Sequence, residues 1–321
     1  MTNALILGGT GWLSGRIARR LLDGGAEVTC LARGGRPAPD GAVLVEADRD
    51  AASAYDEVAR GDWDHVIDVS SRADHVVAAV AALGDRAARW TYVSSMSAYS
   101  DDATPGADES APLHEAAKPD DEYEYGPQKV AAENAVLTLG PRALIVRPGL
   151  IVGPGDPSDR FGYWAAAFAR AGSDAVLLPP LDGRSAQVID VGDLAEYIVS
   201  TATSGVINTI GTRHDLAEVI DLFRSAVGYE GATASAEHDW LVARGVGYWA
   251  GERSLPLWLP TEMTGFMTRS NAAFLASGGT LRPLADTVAD VVADERARGV
   301  DRDRRAGLTR ADERELVAEL G

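Results

Sequence analysis

The chain has 321 residues, enough for about two domains, and its 46% hydrophobic and 24% charged residues are the balance of a globular protein. A single cysteine, Cys30, excludes an internal disulfide, and 30 basic against 48 acidic residues leave a net charge of −18 that disfavours a nucleic-acid partner. No apolar run approaches the ~18 residues that cross a bilayer, and Met1–Leu7 lacks the basic region and cleavage site of a signal peptide, so a cytoplasmic location without a membrane partner is expected.

In chain order, Ala4–Leu7 reads as a strand that runs into glycines, followed by a helix over Gly15–Leu22 with an apolar stripe and a Gly24-Gly25 stop. Strands are expected at Glu27–Ala32, Ala42–Val45, Val66–Val69, Trp90–Ser94 and Ala143–Val146. Helices are expected near Ala51–Arg60, His75–Leu83 and Gln128–Leu139. These strands are nearly continuous apolar runs between helices, the pattern of a parallel sheet buried on both faces.

Beyond Gly153-Pro154-Gly155 the pattern loosens: a helix at Phe161–Ala171, strands at Gln187–Val191 and Val206–Ile210, helices at Asp215–Val227 and Asp286–Arg298. Arg244–Pro260 reads as a loop-rich lobe, residues 299–308 as a charged link, and Thr309 as the cap of a last short helix. The acidic, proline-containing stretch Asp101–Glu124 reads as one long loop.

Gly8-Gly9-Thr10-Gly11-Trp12-Leu13-Ser14-Gly15 joins the first strand to the first helix. Gly8 allows a tight turn, Gly11 lets the backbone approach a pyrophosphate, and free N–H groups at the helix start face an anion. Arg33 follows the second strand, where an acidic residue would bind the ribose hydroxyls of NAD and an arginine suits the 2′-phosphate of NADP; a solvated turn arginine is the alternative. Arg36 is a weaker second candidate, and Asp48 either reaches an adenine or caps its loop.

Tyr125 stands four residues before Lys129, one of only two lysines, so on a helix the two share a face. A phenol titrates near 10, and bringing it to roughly 7 takes about 4 kcal/mol, at about 1.4 per unit. A positive charge about 4 Å away supplies a similar amount at an effective dielectric near 20. Such a tyrosine can exchange a proton with a carbinol or carbonyl oxygen. The fifth strand ends Ser94-Ser95-Met96-Ser97-Ala98-Tyr99, placing hydroxyls at the carboxyl end of a parallel strand, where open α/β sheets bind ligands. The five histidines show no metal-ligand spacing, so no metal is expected.

These pieces, with Arg147-Pro148-Gly149-Leu150-Ile151-Val152-Gly153-Pro154, resemble the extended short-chain dehydrogenase/reductases of the NAD-dependent epimerase/dehydratase superfamily. The resemblance implies a Rossmann-like, doubly wound parallel sheet over residues 1–155. It implies a smaller C-terminal lobe, mainly for substrate, over 156–321, with 187–211 returning to the sheet. It implies that Tyr125 is the acid/base, that Lys129 holds the nicotinamide ribose and tunes the phenol, and that Ser95 takes the catalytic Ser/Thr place. Gly8, Thr10, Gly11, Trp12, Leu13, Arg33, Asp48, Lys129, Pro148 and Ile151 would contact the cofactor, NADP by the Arg33 argument, with NAD the alternative.

The departures are informative. Ser14 stands for the third glycine of the turn. Met96 and Ser97 occupy the places of the Asp-Glu pair of sugar-nucleotide dehydratases, which disfavours an elimination. Leu150 replaces an asparagine common in sugar-nucleotide epimerases. The expected function is hydride transfer to or from a carbonyl or carbinol of a small molecule, with Tyr125 as acid/base. The alternatives are an epimerase of a sugar or sugar nucleotide with tightly held cofactor, and a non-catalytic dinucleotide-binding regulator. A homodimer is an expectation from the resemblance.

Overall fold

The computed structural model describes residues 2–320. They form two compact units, one built from residues up to 150 with 191–211 and 269–280, the other from 151–190, 212–268 and 281 onward. Among the described residues no helix is long and apolar enough to cross a membrane.

In chain order the elements are β1 (Asn3–Leu7), α1 (Trp12–Asp23), β2 (Glu27–Ala32), β3 (Val43–Glu46), β4 (His65–Asp68), α2 (Ala73–Leu83), β5 (Trp90–Val93), α3 (Tyr125–Leu137), β6 (Ala143–Val146), β7 (Leu150–Val152) and α4 (Gly162–Ala171). There follow β8 (Val176–Leu178), β9 (Ser185–Asp190), α5 (Val191–Ser200), β10 (Gly205–Ile207), β11 (Arg213–Asp215), α6 (Leu216–Val227), β12 (Thr233–Ser235), α7 (His238–Ala243), α8 (Ala272–Ala276), α9 (Leu284–Arg298) and α10 (Arg310–Leu320). Short strand pairs at 247–255 and 306–307 occupy part of the loop-rich lobe and the charged link.

The first unit carries a seven-stranded sheet in the order β10-β6-β5-β4-β1-β2-β3. Every adjacent pair is parallel. Alternate residues explain why. Leu5, Leu7, Val66, Trp90, Tyr92 and Ile145 pack with Val76 and Ala79 of α2 and Ala132 and Val136 of α3 on one face. Ala4, Ile6, Cys30 and Leu144, of opposite parity, are equally buried. With both faces covered, strands with no polar face are the stable choice. This is a Rossmann-like α/β fold, and the strand order reverses between β1 and β4. Such a reversal opens a crevice at the carboxyl ends of the strands.

The second unit holds a three-stranded sheet, β11-β9-β7, and a cluster of α4, α6 and α9 in which Phe161 meets Phe223 edge-on at 4.7 Å. Trp164 and Trp258 are fully buried and belong to the core. The segment at 187–190 therefore lies in this small sheet, and only β10 joins the seven-stranded one. The reason is β9's antiparallel partner β11, which takes Ser185, Ala186 and Gln187 in register. Asp159, Arg302, Glu295 and Arg304 form a chain of ion pairs that orders the charged link. Thr309 caps α10 as expected: its Oγ1 accepts the Asp312 N–H at 3.1 Å.

Residues 51–60 form successive turns and one short 3-10 segment at Val58–Arg60, with no α-helix. Tyr55 is anchored by its hydroxyl to Arg49 Nε and the His75 carbonyl, and this tertiary fixing overrides the local helical spacing. The loop at 101–124 has no regular element, yet it is tied down: Glu109 accepts the Asn208 N–H at 2.7 Å and Ala107 accepts the Ser270 N–H at 2.9 Å.

Candidate functional site

The glycine-rich turn is built by three different demands. Gly8 has φ +89°, a left-handed conformation that glycine adopts without strain. Gly9 is needed for packing, because a Cβ there would lie 2.5 Å from Cys30 Sγ on β2. Ser14 is the staple: its hydroxyl donates to the Gly8 carbonyl at 2.7 Å and accepts the Gly11 N–H at 2.9 Å. The serine therefore replaces the third glycine with two hydrogen bonds that fix the turn. It also engages the Gly11 N–H that the sequence leaves free for an anion. Cys30 is sealed by this contact, and burial pushes its thiol up to about 11.

A pocket of about 490 Å³ opens at the carboxyl ends of β1 to β4. Gly8, Thr10, Gly11, Arg33 and Asp48 line it, as do Arg36 and Arg49. Trp12 and Leu13 begin α1, half-buried, outside that lining. Among the described residues the Arg33 and Arg36 guanidiniums have no hydrogen-bond or ion-pair partner. Two unpaired cations beside a glycine cradle suit a phosphate-bearing nucleotide. Asp48 lines the pocket and also accepts the Asp50 N–H at 3.1 Å, so it both faces the pocket and caps its loop.

Sequence reasoning missed Arg49. Its guanidinium grips Asp68 bidentately at 2.9 and 2.7 Å, and Asp68 is fully buried at the end of β4. The signal was an arginine next to the conspicuous Asp48, but its partner lies 19 residues away on another strand. Nearby, Asp50, Asp74 and His75 offer ligand atoms within 4.8 Å of one another. Arg72 bridges both carboxylates, which accounts for the cluster without an ion.

Lys129 is 3% exposed, and its ammonium donates to the carbonyls of Ser70 and Val93, each at 2.8 Å. It lies 4.8 Å from the centre of the Tyr92 ring and 5.6 Å from that of Tyr125. Tyr125 opens α3 and is 43% exposed. A permanent unit charge is the sequence expectation for Lys129; burial instead pushes its pKa down to about 7, against the pull of Asp68 and Glu133. Ser70, whose carbonyl holds the ammonium, is itself part of the pocket wall.

Ser95 caps a 3-10 turn at Met96–Ala98, accepting the Ser97 N–H at 3.1 Å and donating to Ser97 Oγ at 3.2 Å. A side chain on Gly126 would collide with the Ser97 carbonyl, so this glycine lets the first turn of α3, with Tyr125, rest on the Ser95–Ser97 turn. Ser94 is turned away, donating to Glu133, which Arg147 clamps at 2.9 and 2.6 Å. Ser95 and Ser97 stay in the turn on which the start of α3 rests. Pro148 is buried, its carbonyl accepting the Met96 N–H at 3.0 Å. Ile151 lies on β7 in the second unit. Arg282 is in ion pairs with Asp290 and Asp190.

The family model for the NAD dependent epimerase/dehydratase family matches residues 4–210. The chain belongs to that family, and is an enzyme of the short-chain dehydrogenase/reductase kind that uses a nicotinamide dinucleotide. No curated protein matches it. Among solved structures, a candidate epimerase from Burkholderia cenocepacia J2315 shares 23% identity over 92% of this chain and 98% of its own, with a TM-score of 0.72. UDP-glucose 4-epimerase from Thermotoga maritima, solved with UDP-glucose, shares 12% over 92% and 99%, at 0.69. UDP-glucose 4-epimerase from Thermus thermophilus, solved with NAD, shares 17% over 93% and 100%, at 0.66. At such identities the likeness is one of fold.

Proposed function

We propose that this chain is an NADP-preferring oxidoreductase of the extended short-chain type, which reduces or oxidises a carbonyl or carbinol on a small molecule. The observation that carries the reading is Lys129, a buried ammonium beside the Tyr125 phenol, with Ser95 on the turn against which that tyrosine's helix packs. Arg33 and Arg36 support the choice of NADP, since they offer two unpaired cations where a 2′-phosphate would add charge. When bound, the nicotinamide supplies the hydride acceptor or donor.

The chain's own residues do the rest. The Gly8–Gly11 turn, Arg33 and Arg36 would hold the nucleotide end. Tyr125 gives a proton to the reacting oxygen, or takes one from it, at its phenol. The Lys129 ammonium, when protonated, favours the phenolate. The Ser95 hydroxyl releases its long bond to Ser97 and orients that same oxygen. Stoichiometric loss of NADPH with a carbonyl substrate tests the reading; protein that binds NADPH but oxidises it with no carbonyl compound refutes it.

A second reading, an epimerase of a sugar or sugar nucleotide that keeps its cofactor, is favoured by the family description and by the neighbours solved as UDP-glucose 4-epimerases. Interconversion of epimers with no net change in nicotinamide absorbance would select it.

A further inference from the structure

Asp68 stands between two groups that the sequence places far apart. On one side Arg49, which lines the nucleotide pocket, holds both its oxygens. On the other, Asp68 Oδ1 accepts the Ser70 N–H at 2.9 Å, which fixes the turn after β4. That turn presents the Ser70 carbonyl, which accepts both the Lys129 ammonium at 2.8 Å and the Tyr92 hydroxyl at 3.0 Å.

The charged and titratable groups facing Lys129 are few. Asp68 comes from β4 and Tyr92 from β5, while Glu133 and Tyr125 come from α3 itself. Behind the two carboxylates stand Arg49 and Arg147, each bound to its own acid. Glu133 is spent on Arg147 and Ser94. Asp68 alone both contributes a negative charge and shapes the carbonyl seat of the ammonium.

We propose that Arg49 and Asp68 are positioning residues for Lys129: Asp68 holds the Ser70 carbonyl on the ammonium and favours its protonated state, and Arg49 tempers that charge from the pocket side. The inference rests on Lys129 serving Tyr125, but its test does not. A buried ammonium with only dipolar carbonyl partners loses its proton readily, whereas a neighbouring carboxylate retains it. Removing the carboxylate and removing its arginine must therefore move Lys129 in opposite directions.

The chain has two lysines, Lys118 and Lys129, so protein labelled with carbon-13 at lysine Cε gives two lysine signals. Lys118 is exposed and serves as the internal reference. The wild-type Lys129 signal should titrate near 7. Asp68→Asn should lower that midpoint, and Arg49→Met should raise it, each by about one unit. Should Asp68→Asn fail to fold, Arg49→Met against the Arg49→Met/Asp68→Asn double variant isolates the same charge, and the double variant should titrate lower. Midpoints that stay in place, or single variants that shift the same way, overturn the proposal. The catalytic reading is judged separately, by turnover of Tyr125→Phe, so either can fail without the other.

Discussion

Lys129 Nζ lies 5.6 Å from the centre of the Tyr125 ring, yet the amine is buried and the phenol's residue is 43% exposed. A unit charge about 5 to 6 Å away is worth on the order of 3 kcal/mol at an effective dielectric near 20, enough to matter to the phenol's ionisation. On the proposed reading, a substrate meets the face that Tyr125 shows to solvent. Replacing Tyr125 by Phe should lower turnover by about 100-fold or more while NADPH affinity, measured by fluorescence titration, changes little. Retained turnover would remove the phenol from the chemistry.

Arg33 should select the cofactor. Its guanidinium has no competing partner among the described residues, so a 2′-phosphate would gain a charge-assisted bond worth about 1.5–3 kcal/mol. Arg33→Ser should weaken NADPH about 10-fold or more and leave NADH nearly unchanged in paired calorimetric titrations. Equal weakening of both would show that Arg33 does not read the phosphate.

Gly9→Ala probes the turn. The new methyl would sit 2.5 Å from Cys30 Sγ and 2.6 Å from its Cβ; the sulfur can rotate away, but the Cβ cannot move without displacing β2. Overpacking of this kind costs about 1–3 kcal/mol. The urea midpoint should fall accordingly, with an unchanged slope. A wild-type midpoint would mean that the strand yields more easily than its pairing with β1 and β3 implies.

His65 sets a pH limit on stability. Burial, with Arg89 nearby, pushes it down to about 3, from 6.5 when exposed. Between those values the unfolded chain binds the extra proton, so this contribution is complete above 6.5 and is lost as pH falls toward 3. The slope is at most about 1.4 kcal/mol per unit. His65→Leu removes that slope, although it leaves the Thr91 hydroxyl, now 2.8 Å from His65 Nε2, without this partner. Denaturant melts across the window should therefore show a lower plateau and a shallower acid limb. An acid limb as steep as wild type would assign the loss to other groups.

Much of the first unit was readable because its strands are buried on both faces, so Leu5, Ile6 and Leu7 appear as an unbroken apolar run with one meaning. The turn and the shared face of Tyr125 and Lys129 were readable because glycine conformation and helical spacing each leave a local pattern. Asp68 and Arg49 were not, since the pair is made by strand order and leaves no local pattern. The same holds for Lys129's burial: spacing placed it on the Tyr125 face, but only the tertiary packing that takes its ammonium out of water lowers its pKa. Residues 51–60 misled because alanine-rich spacing promises a helix whichever way Tyr55 is tethered.

Because the chain's one thiol, Cys30, is buried against Gly9, thiol reagents have no target on the native surface. Alkylation of the untreated protein thus becomes a clock for transient parting of β2 from the glycine turn. A ligand seated on that turn should slow the clock, reporting occupancy without any knowledge of the substrate.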